Sequence, residues 1–178
     1  MSSTQAILLA INIVGGIAVI GSYALGLWAH PGQGNELWGG VPGSLRGVYG
    51  ISMLLSAVGY LLFFYHTVFR MDPPQVRLPW DLPFATFHIL FVLILLPSAF
   101  WMSLTFAWLA APSTALWIAI RTVLGLVGIG SLMMLAALAS LKGLAPDQFW
   151  WPSTVGAAVF TFHTLVLDAL LWPKLFAA

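Results

Sequence analysis

The sequence predicts an all-α fold, an integral membrane bundle of five transmembrane helices. Of the 178 residues, 61% are hydrophobic and only 6% are charged, and the mean hydropathy is +0.99. A soluble domain of this length needs far more charged side chains to cover its surface. The apolar stretches are also long and unbroken, which favours helices over the short alternating strands of a membrane barrel. The lipid bilayer is therefore the first predicted partner.

Five apolar stretches reach the length of about 20 residues that a helix needs to cross the hydrocarbon core. The predicted spans cover residues 6–28, 47–69, 84–109, 113–141 and 152–172. The connections between them are rich in proline, glycine or charged residues, which end helices. The sequence contains no second domain and no tandem repeat, so we expect one transmembrane unit over residues 1–178.

The first span is expected to be a transmembrane helix, and the connection after it is expected to lie at one end of the bundle. Residues 1–5 carry no lysine or arginine. The apolar stretch after them is longer than the roughly 7–15 residues of a signal peptide, so we expect a retained helix. The connection over residues 29–46 contains Trp38 and is long enough to fold over the bundle end as a lid.

The second and third spans are expected to form a hairpin with two histidines near its turn. His66 lies near the end of the second span and His88 near the start of the third. Two imidazoles that face each other can bind haem iron axially, as in b-type cytochromes. The alternative is that both are interfacial histidines hydrogen-bonded to the backbone or to lipid headgroups. In the third span, Pro97 is expected to bend the helix close to Trp101.

The fourth and fifth spans carry the polar residues that are costliest to place in lipid, namely Arg121, His163 and Asp168. Arg121 and Asp168 are expected at similar depths on the same membrane side, where each would reduce the desolvation cost of the other. Three alternatives remain: a structural ion pair, a pair that lines a polar ligand pocket, or two separately solvated groups. His163 is expected to be a buried, hydrogen-bonded histidine or part of the same pocket.

Tryptophan is frequent near the predicted span ends, where its amphipathic ring suits the headgroup region of a bilayer. The residues concerned are Trp28, Trp38, Trp80, Trp108, Trp117, Trp150, Trp151 and Trp172. Most of them are expected to be membrane anchors. Trp101 is the tryptophan that lies well inside a predicted helix.

The few basic residues indicate the topology and exclude one class of partner. Arg70, Arg77 and Lys142 lie on the side of the N-terminus and outnumber Arg46 and Lys174 on the other side, which favours an N-terminus inside. Because lysine and arginine are nowhere clustered, nucleic acid is not an expected partner. The absence of cysteine excludes disulfides and thiolate metal sites.

Sequence templates for catalysis are missing. The chain has no His-Glu-x-x-His metal motif, no glycine-rich phosphate loop and no Gly-x-Ser-x-Gly nucleophile turn. We therefore expect no metal site and no catalytic residues. An aspartate and a histidine such as Asp168 and His163 would suffice for a proton-transfer isomerase, so an enzyme stays open as the less expected class.

Two motifs with tryptophan lie in the third and fifth spans. Residues 96–106 read Leu-Pro-Ser-Ala-Phe-Trp-Met-Ser-Leu-Thr-Phe, and residues 167–172 read Leu-Asp-Ala-Leu-Leu-Trp. They resemble the patterns Leu-Asn-x-x-Trp-Ser-x-Leu-Phe-Phe and Leu-Asn-x-x-x-Trp of the tryptophan-rich sensory protein or translocator family, TspO. Ser98 and Asp168 stand where the family has asparagine. In the first connection, only Trp38 and Pro42 match the family's aromatic and proline residues.

The resemblance implies a five-helix bundle that binds porphyrins, other tetrapyrroles or sterol-like lipids in a cavity closed by the first connection. By position it carries Trp38, Trp101, Asp168 and Trp172 over to that pocket. The polar residues of the fourth and fifth spans add Arg121 and His163 to the same predicted site.

Three functions remain open at this point. The first is a binder, sensor or transporter of a hydrophobic small molecule. The second is a structural subunit of a homo-oligomer or of a larger membrane complex. The third is a haem protein that uses His66 and His88. Porphyrin or haem is the cofactor that these alternatives imply.

Overall fold

The predicted all-α bundle of five apolar helices is present in the computed structural model, which describes residues 1–141 and 148–176. The helices are α1 (Ser3–Ala29), α2 (Gly43–Tyr65), α3 (Thr86–Ala110), α4 (Thr114–Ser140), α5 (Trp150–Thr161) and the short α6 (Trp172–Phe176). They form five spans of 25 to 28 residues, each long and apolar enough to cross a bilayer. The chain is a multi-pass integral membrane protein.

Two of the spans contain π-helical segments, in which backbone hydrogen bonds join residues five apart. The segment His66–Arg70 continues α2, so that the second span is Gly43–Arg70. The segment Phe162–Leu171 joins α5 to α6, so that the fifth span is Trp150–Phe176. Segments of this kind are rare and often lie at functional sites.

The connections are short and turn-rich. The first contains the 3-10 helix Gln33–Trp38. Between the second and third spans, β1 (Arg77–Leu78) pairs antiparallel with β2 (Leu82–Pro83). Two 3-10 turns, Pro73–Gln75 and Pro79–Asp81, lie beside these strands. Lys142, one of the residues used to predict the topology, lies outside the described residues.

The helices follow one another around the bundle in the order α1, α3, α4, α5, α2. α3 packs between α1 and α4, and the fifth span packs between α4 and α2. α1 meets the second span at its π-helical end. Helices that follow each other in sequence are therefore not always neighbours, and residues far apart in the chain meet inside the bundle.

α2 and α5 approach most closely at a pair of glycines. A Cβ atom on Gly59 would overlap the carbonyl oxygen of Gly156, and a Cβ atom on Gly156 would overlap the backbone of Gly59. Small residues at such crossings let two helix backbones touch in lipid, where van der Waals packing drives association. This contact fixes the spacing of the two helices on one side of the site described next.

The two larger hydrophobic clusters of the described residues lie near opposite ends of the bundle. The cluster on the side of the N-terminus, which we call the closed end, includes Leu8, Phe63, Val68, Phe84, Phe87, Phe91, Met134 and Leu138. The other, which we call the aromatic end, includes Trp38, Tyr49, Trp101, Trp108, Trp117, Trp172 and Phe176. The first connection lies against the aromatic end.

The tryptophans divide into two groups. Trp28, Trp80 and Trp151 are 81%, 91% and 63% exposed, as membrane anchors should be. Trp172, which the resemblance assigned to the pocket, is 4% exposed and is not an anchor. Trp38, Trp108 and Trp117 are half-buried and pack in the same cluster. Proximity to a span end does not distinguish a ring that faces the headgroups from one that faces the bundle interior.

Candidate functional site

The aromatic end contains one unusual polar atom. The indole ring of Trp101 lies edge to face against Trp172, with 5.8 Å between ring centroids, and against Tyr23, at 5.9 Å. Trp101 Nε1 is buried and has no hydrogen-bond partner among the described residues. A buried N–H group without a partner is costly and uncommon in proteins. We take the side chains of Tyr23, Trp101, Asp168 and Trp172 as the candidate site and call them the aromatic pocket.

Asp168 is the acidic group of this pocket. It follows Leu167, a buried member of the cluster at the aromatic end. Asp168 itself is half-buried, and 30% of its side-chain surface is accessible. The pocket therefore has an acceptor, Asp168, and a donor, Trp101 Nε1.

A chain of polar contacts runs from Asp168 through His163 to α2. Asp168 Oδ2 lies 3.4 Å from His163 Nε2, and His163 Nδ1 lies 3.1 Å from Ser52 Oγ. The π-helical winding explains the first contact, because residues five apart in an α-helix point roughly 140° away from each other. Winding with i to i+5 hydrogen bonds brings His163 and Asp168 to the same face.

The predicted pairing of Arg121 with Asp168 is wrong within the described residues. The carboxylate instead contacts His163, and the side chain of Arg121 is exposed on the outer face of α4. Matched depth was the basis of the prediction, but depth does not fix the direction in which a helical residue points. Arg121 therefore lies on the lipid-facing surface rather than in the pocket.

The first connection covers the aromatic end. Trp172 Nε1 donates to the carbonyl oxygen of Leu37 at 3.1 Å, and Gly40 N–H donates to the carbonyl oxygen of Phe176 at 3.4 Å. Gly39 has a φ of 50° and lies so close to Phe176 that a Cβ atom would overlap that ring. Only glycine combines this conformation with this approach. The backbone of the connection is therefore in direct contact with Phe176 at the end of the bundle.

Trp38 anchors the connection from its outer side. Its ring lies edge to face against Tyr49 at 5.9 Å, and the Arg46 guanidinium lies 5.7 Å from its centroid. Tyr49 in turn donates a hydrogen bond to the carbonyl oxygen of Leu167 at 2.9 Å. Trp38 therefore ties the connection to α2 and, through Tyr49, to the fifth span beside Asp168.

The two histidines of the predicted hairpin have different partners. His66 Nδ1 lies 2.6 Å from Ser153 Oγ in α5, and His88 Nε2 lies 2.9 Å from the carbonyl oxygen of Thr4 in α1. His66 is buried, and His88 is half-buried. Each imidazole thus ties its own helix to another span.

Several residues of the site were not among those singled out in the sequence. Tyr23, Tyr49, Ser52 and Phe176 lie in apolar stretches without a recognisable motif. The pairing of His163 with Asp168 was also missed, because a spacing of five places two residues on one face only in a π-helix. The contact between Ser52 and His163 could have been predicted only if α2 and the fifth span had been known to be neighbours.

Comparison with known proteins supplies no relative: no family model, no curated protein and no solved structure matches this chain. The fold and the site therefore define the protein by class. It is a five-span membrane protein whose first connection packs against an aromatic cluster at one end of the bundle.

Proposed function

We propose that this protein binds a hydrophobic small molecule in the aromatic pocket, as a sensor or transporter of the TspO kind. The observation that carries the proposal is the buried indole N–H of Trp101, which has no partner among the described residues. A bound molecule with a hydrogen-bond acceptor would remove that cost. The two motifs around Trp101 and Trp172 support the same assignment.

The chemistry of the pocket favours a tetrapyrrole or a sterol-like lipid. Aromatic rings supply most of the contact surface, and two polar groups fix orientation, as in most small-molecule sites. A planar ring packs well against indole faces and edges. Asp168 accepts a hydrogen bond from a pyrrole N–H or a hydroxyl group, and Trp101 Nε1 donates one to a ring or carbonyl acceptor.

The first connection would act as the lid of this pocket. Its attachments to the bundle include the Trp172–Leu37 and Gly40–Phe176 hydrogen bonds and the packing of Leu37, Trp38 and Val41 in the apolar clusters. Opening for entry of a ligand would break these contacts, and closing would restore them. Binding would involve this motion of the first connection and no chemical reaction.

An absorption titration tests the proposal. The detergent-purified protein is recorded as isolated and then titrated with protoporphyrin IX and with haem. We expect a colourless protein that binds protoporphyrin saturably. Trp101→Phe, which keeps an aromatic ring and removes the N–H, should weaken binding about fivefold to tenfold. Trp151→Phe is the matched control, because Trp151 is 63% exposed and lies in α5 outside the pocket.

Other results favour the other functions. A reducible Soret band in the protein as isolated, lost in His66→Ala or His88→Ala, would assign a haem protein instead. Absence of saturable binding to either compound would favour a subunit of a homo-oligomer or of a larger membrane complex. Equal affinities of Trp101→Phe and Trp151→Phe would locate the ligand elsewhere.

A further inference from the structure

A second cavity opens between α2 and the fifth span on the lipid-facing surface. It has a volume of about 560 Å³. Its walls are Val48, Ile51 and Leu55 from α2 and Val155, Val159 and Phe162 from the fifth span. We call it the lateral groove. It is separate from the aromatic pocket, because most of its wall residues are about half exposed on the outside of the bundle.

The groove lies beside the level at which α2 and the fifth span are in contact. Gly59 and Gly156 hold the backbones in contact, and Ser56 Oγ donates to the carbonyl oxygen of Val159 at 3.4 Å one turn away. Beyond that level the fifth span changes to π-helical winding, and the imidazole of His163 fills the gap toward α2.

The groove contains one polar side chain, Ser52, among apolar walls. Ser52 Oγ is 3.1 Å from His163 Nδ1, and the other imidazole nitrogen is 3.4 Å from Asp168. A hydroxyl group has one donor and two acceptor positions, so the contact with His163 leaves hydrogen-bonding capacity unused. Ser52 therefore offers a polar anchor inside a groove that is otherwise filled by hydrocarbon.

The depth of Ser52 decides which molecule fits. It is nine residues from the start of α2 at Gly43, or about 13 Å along the helix. The second span has 28 residues, or about 42 Å, so a hydrocarbon core of about 30 Å centred on it begins about 6 Å from each end, and Ser52 lies about 7 Å inside that core. A phospholipid headgroup stays at the interface, because taking its charge to this depth is too costly. A neutral head with a single polar group is suited to this depth.

We propose that the lateral groove binds a membrane-dissolved long-chain alcohol, whose hydroxyl group hydrogen-bonds to Ser52. A hydroxyl both donates and accepts, so it complements Ser52 in either orientation of the Ser52–His163 hydrogen bond. The apolar walls hold the alkyl chain. His163 and Asp168 act as positioning residues that hold the Ser52 hydroxyl in place. The proposal does not depend on a ligand in the aromatic pocket.

Photolabelling in lipid nanodiscs tests it. Two probes carry the same diazirine in a sixteen-carbon chain, and only one of them ends in a hydroxyl group. After irradiation, labelled peptides are identified by mass spectrometry. We expect the alcohol probe to label residues 48–55 and 155–162 about fivefold more than the alkane probe, because one hydrogen bond distinguishes them.

A matched pair of serine variants assigns the anchor. Ser52→Ala should abolish the difference between the probes, whereas Ser56→Ala, one turn farther along α2 and outside the groove wall, should keep it. Leu55→Trp fills the groove from an exposed position and should reduce labelling by both probes. Equal labelling by the two probes in the unmodified protein would overturn the proposal, and so would an unchanged difference in Ser52→Ala. Porphyrin titration of the same samples shows separately whether the aromatic pocket binds.

Discussion

At the closed end of the bundle, Phe63, Phe87 and Phe91 are fully buried. At the aromatic end, Trp101 and Asp168 are only half-buried although both point into the bundle. Trp172 and Phe176 at the same end are buried, so the incomplete burial concerns Trp101 and Asp168 rather than the whole aromatic end. A core packed to the density of protein interiors leaves no room for a ligand.

The polar groups of the two ends differ in the same way. At the closed end, His66 is bonded to Ser153, and Gln5 Nε2 donates to the carbonyl oxygens of Val68 and Met71 at 2.9 and 3.1 Å. At the aromatic end, Trp101 Nε1 has no partner within the described residues. A satisfied polar group stabilises one arrangement, whereas a buried donor without a partner is costly. The aromatic end thus contains a costly donor that has no counterpart among the described residues of the closed end.

The largest expected effect is at the glycine crossing beside the closed end. Gly59→Leu should reduce the free energy of unfolding by more than about 3 kcal/mol, because the obstructing atoms are backbone atoms of Gly156 that cannot rotate away. Thermal unfolding and size-exclusion chromatography in detergent measure this loss. Gly50→Leu is the control in the same helix, since a Cβ atom at Gly50 meets nothing within 4 Å. Similar unfolding temperatures for the two variants would contradict the close contact.

A direct comparison of the two ends comes from truncating one ring in each. Phe91→Ala should cost about 3–5 kcal/mol, as is usual for a fully buried phenylalanine. Trp101→Ala should cost less, because its ring is half-buried and its N–H loses no hydrogen bond to the described residues. Urea or thermal unfolding of both variants in one detergent gives the comparison. If the two losses are equal, the ends do not differ in packing.

A smaller effect is expected from one hydrogen bond at the closed end. Ser153→Ala removes the hydroxyl that lies 2.6 Å from His66 Nδ1 and should cost about 1–3 kcal/mol. Ser98→Ala is the control, since that hydroxyl bonds only the carbonyl oxygen of Ile94 in its own helix. A double-mutant cycle with His66→Ala should give a coupling energy well above zero. Simple additivity would show that the contact does not stabilise the closed end.

The sequence was sufficient to predict the five helices, because hydrophobic length is a direct consequence of bilayer thickness. It also placed Trp38, Trp101 and Trp172 near the same end, and they belong to one cluster there. The direction in which each side chain points was harder to predict. Trp172 lies near a span end, as membrane anchors do, yet it is buried, because position along a helix says nothing about rotation around its axis.

The winding of the fifth span explains what else was missed. A π-helical segment has no sequence signature comparable to a cap or a proline, so the contact between His163 and Asp168 could not be anticipated from an α-helical wheel. The order of helices was equally hidden. Ser52 and His163 are 111 residues apart, and only the packing of α2 against the fifth span brings them together.

The smallest effect on stability is expected from substitution of Arg121. This variant tests whether Asp168 depends on Arg121 or on His163. Had Arg121 paired with Asp168 inside the bundle, Arg121→Leu would leave a buried carboxylate without its partner and cost about 3–5 kcal/mol. With Arg121 exposed and Asp168 against His163, the change removes only a charge from the lipid-facing surface. We therefore expect an unfolding temperature in detergent that is unchanged or slightly higher, since a charge within a membrane span is itself unfavourable. Asp168→Leu is the counterpart, and it should lower the unfolding temperature because His163 loses its contact. Equal destabilisation by both variants would show that the two charges depend on each other, and the carboxylate would then be a structural partner rather than a free acceptor of the pocket.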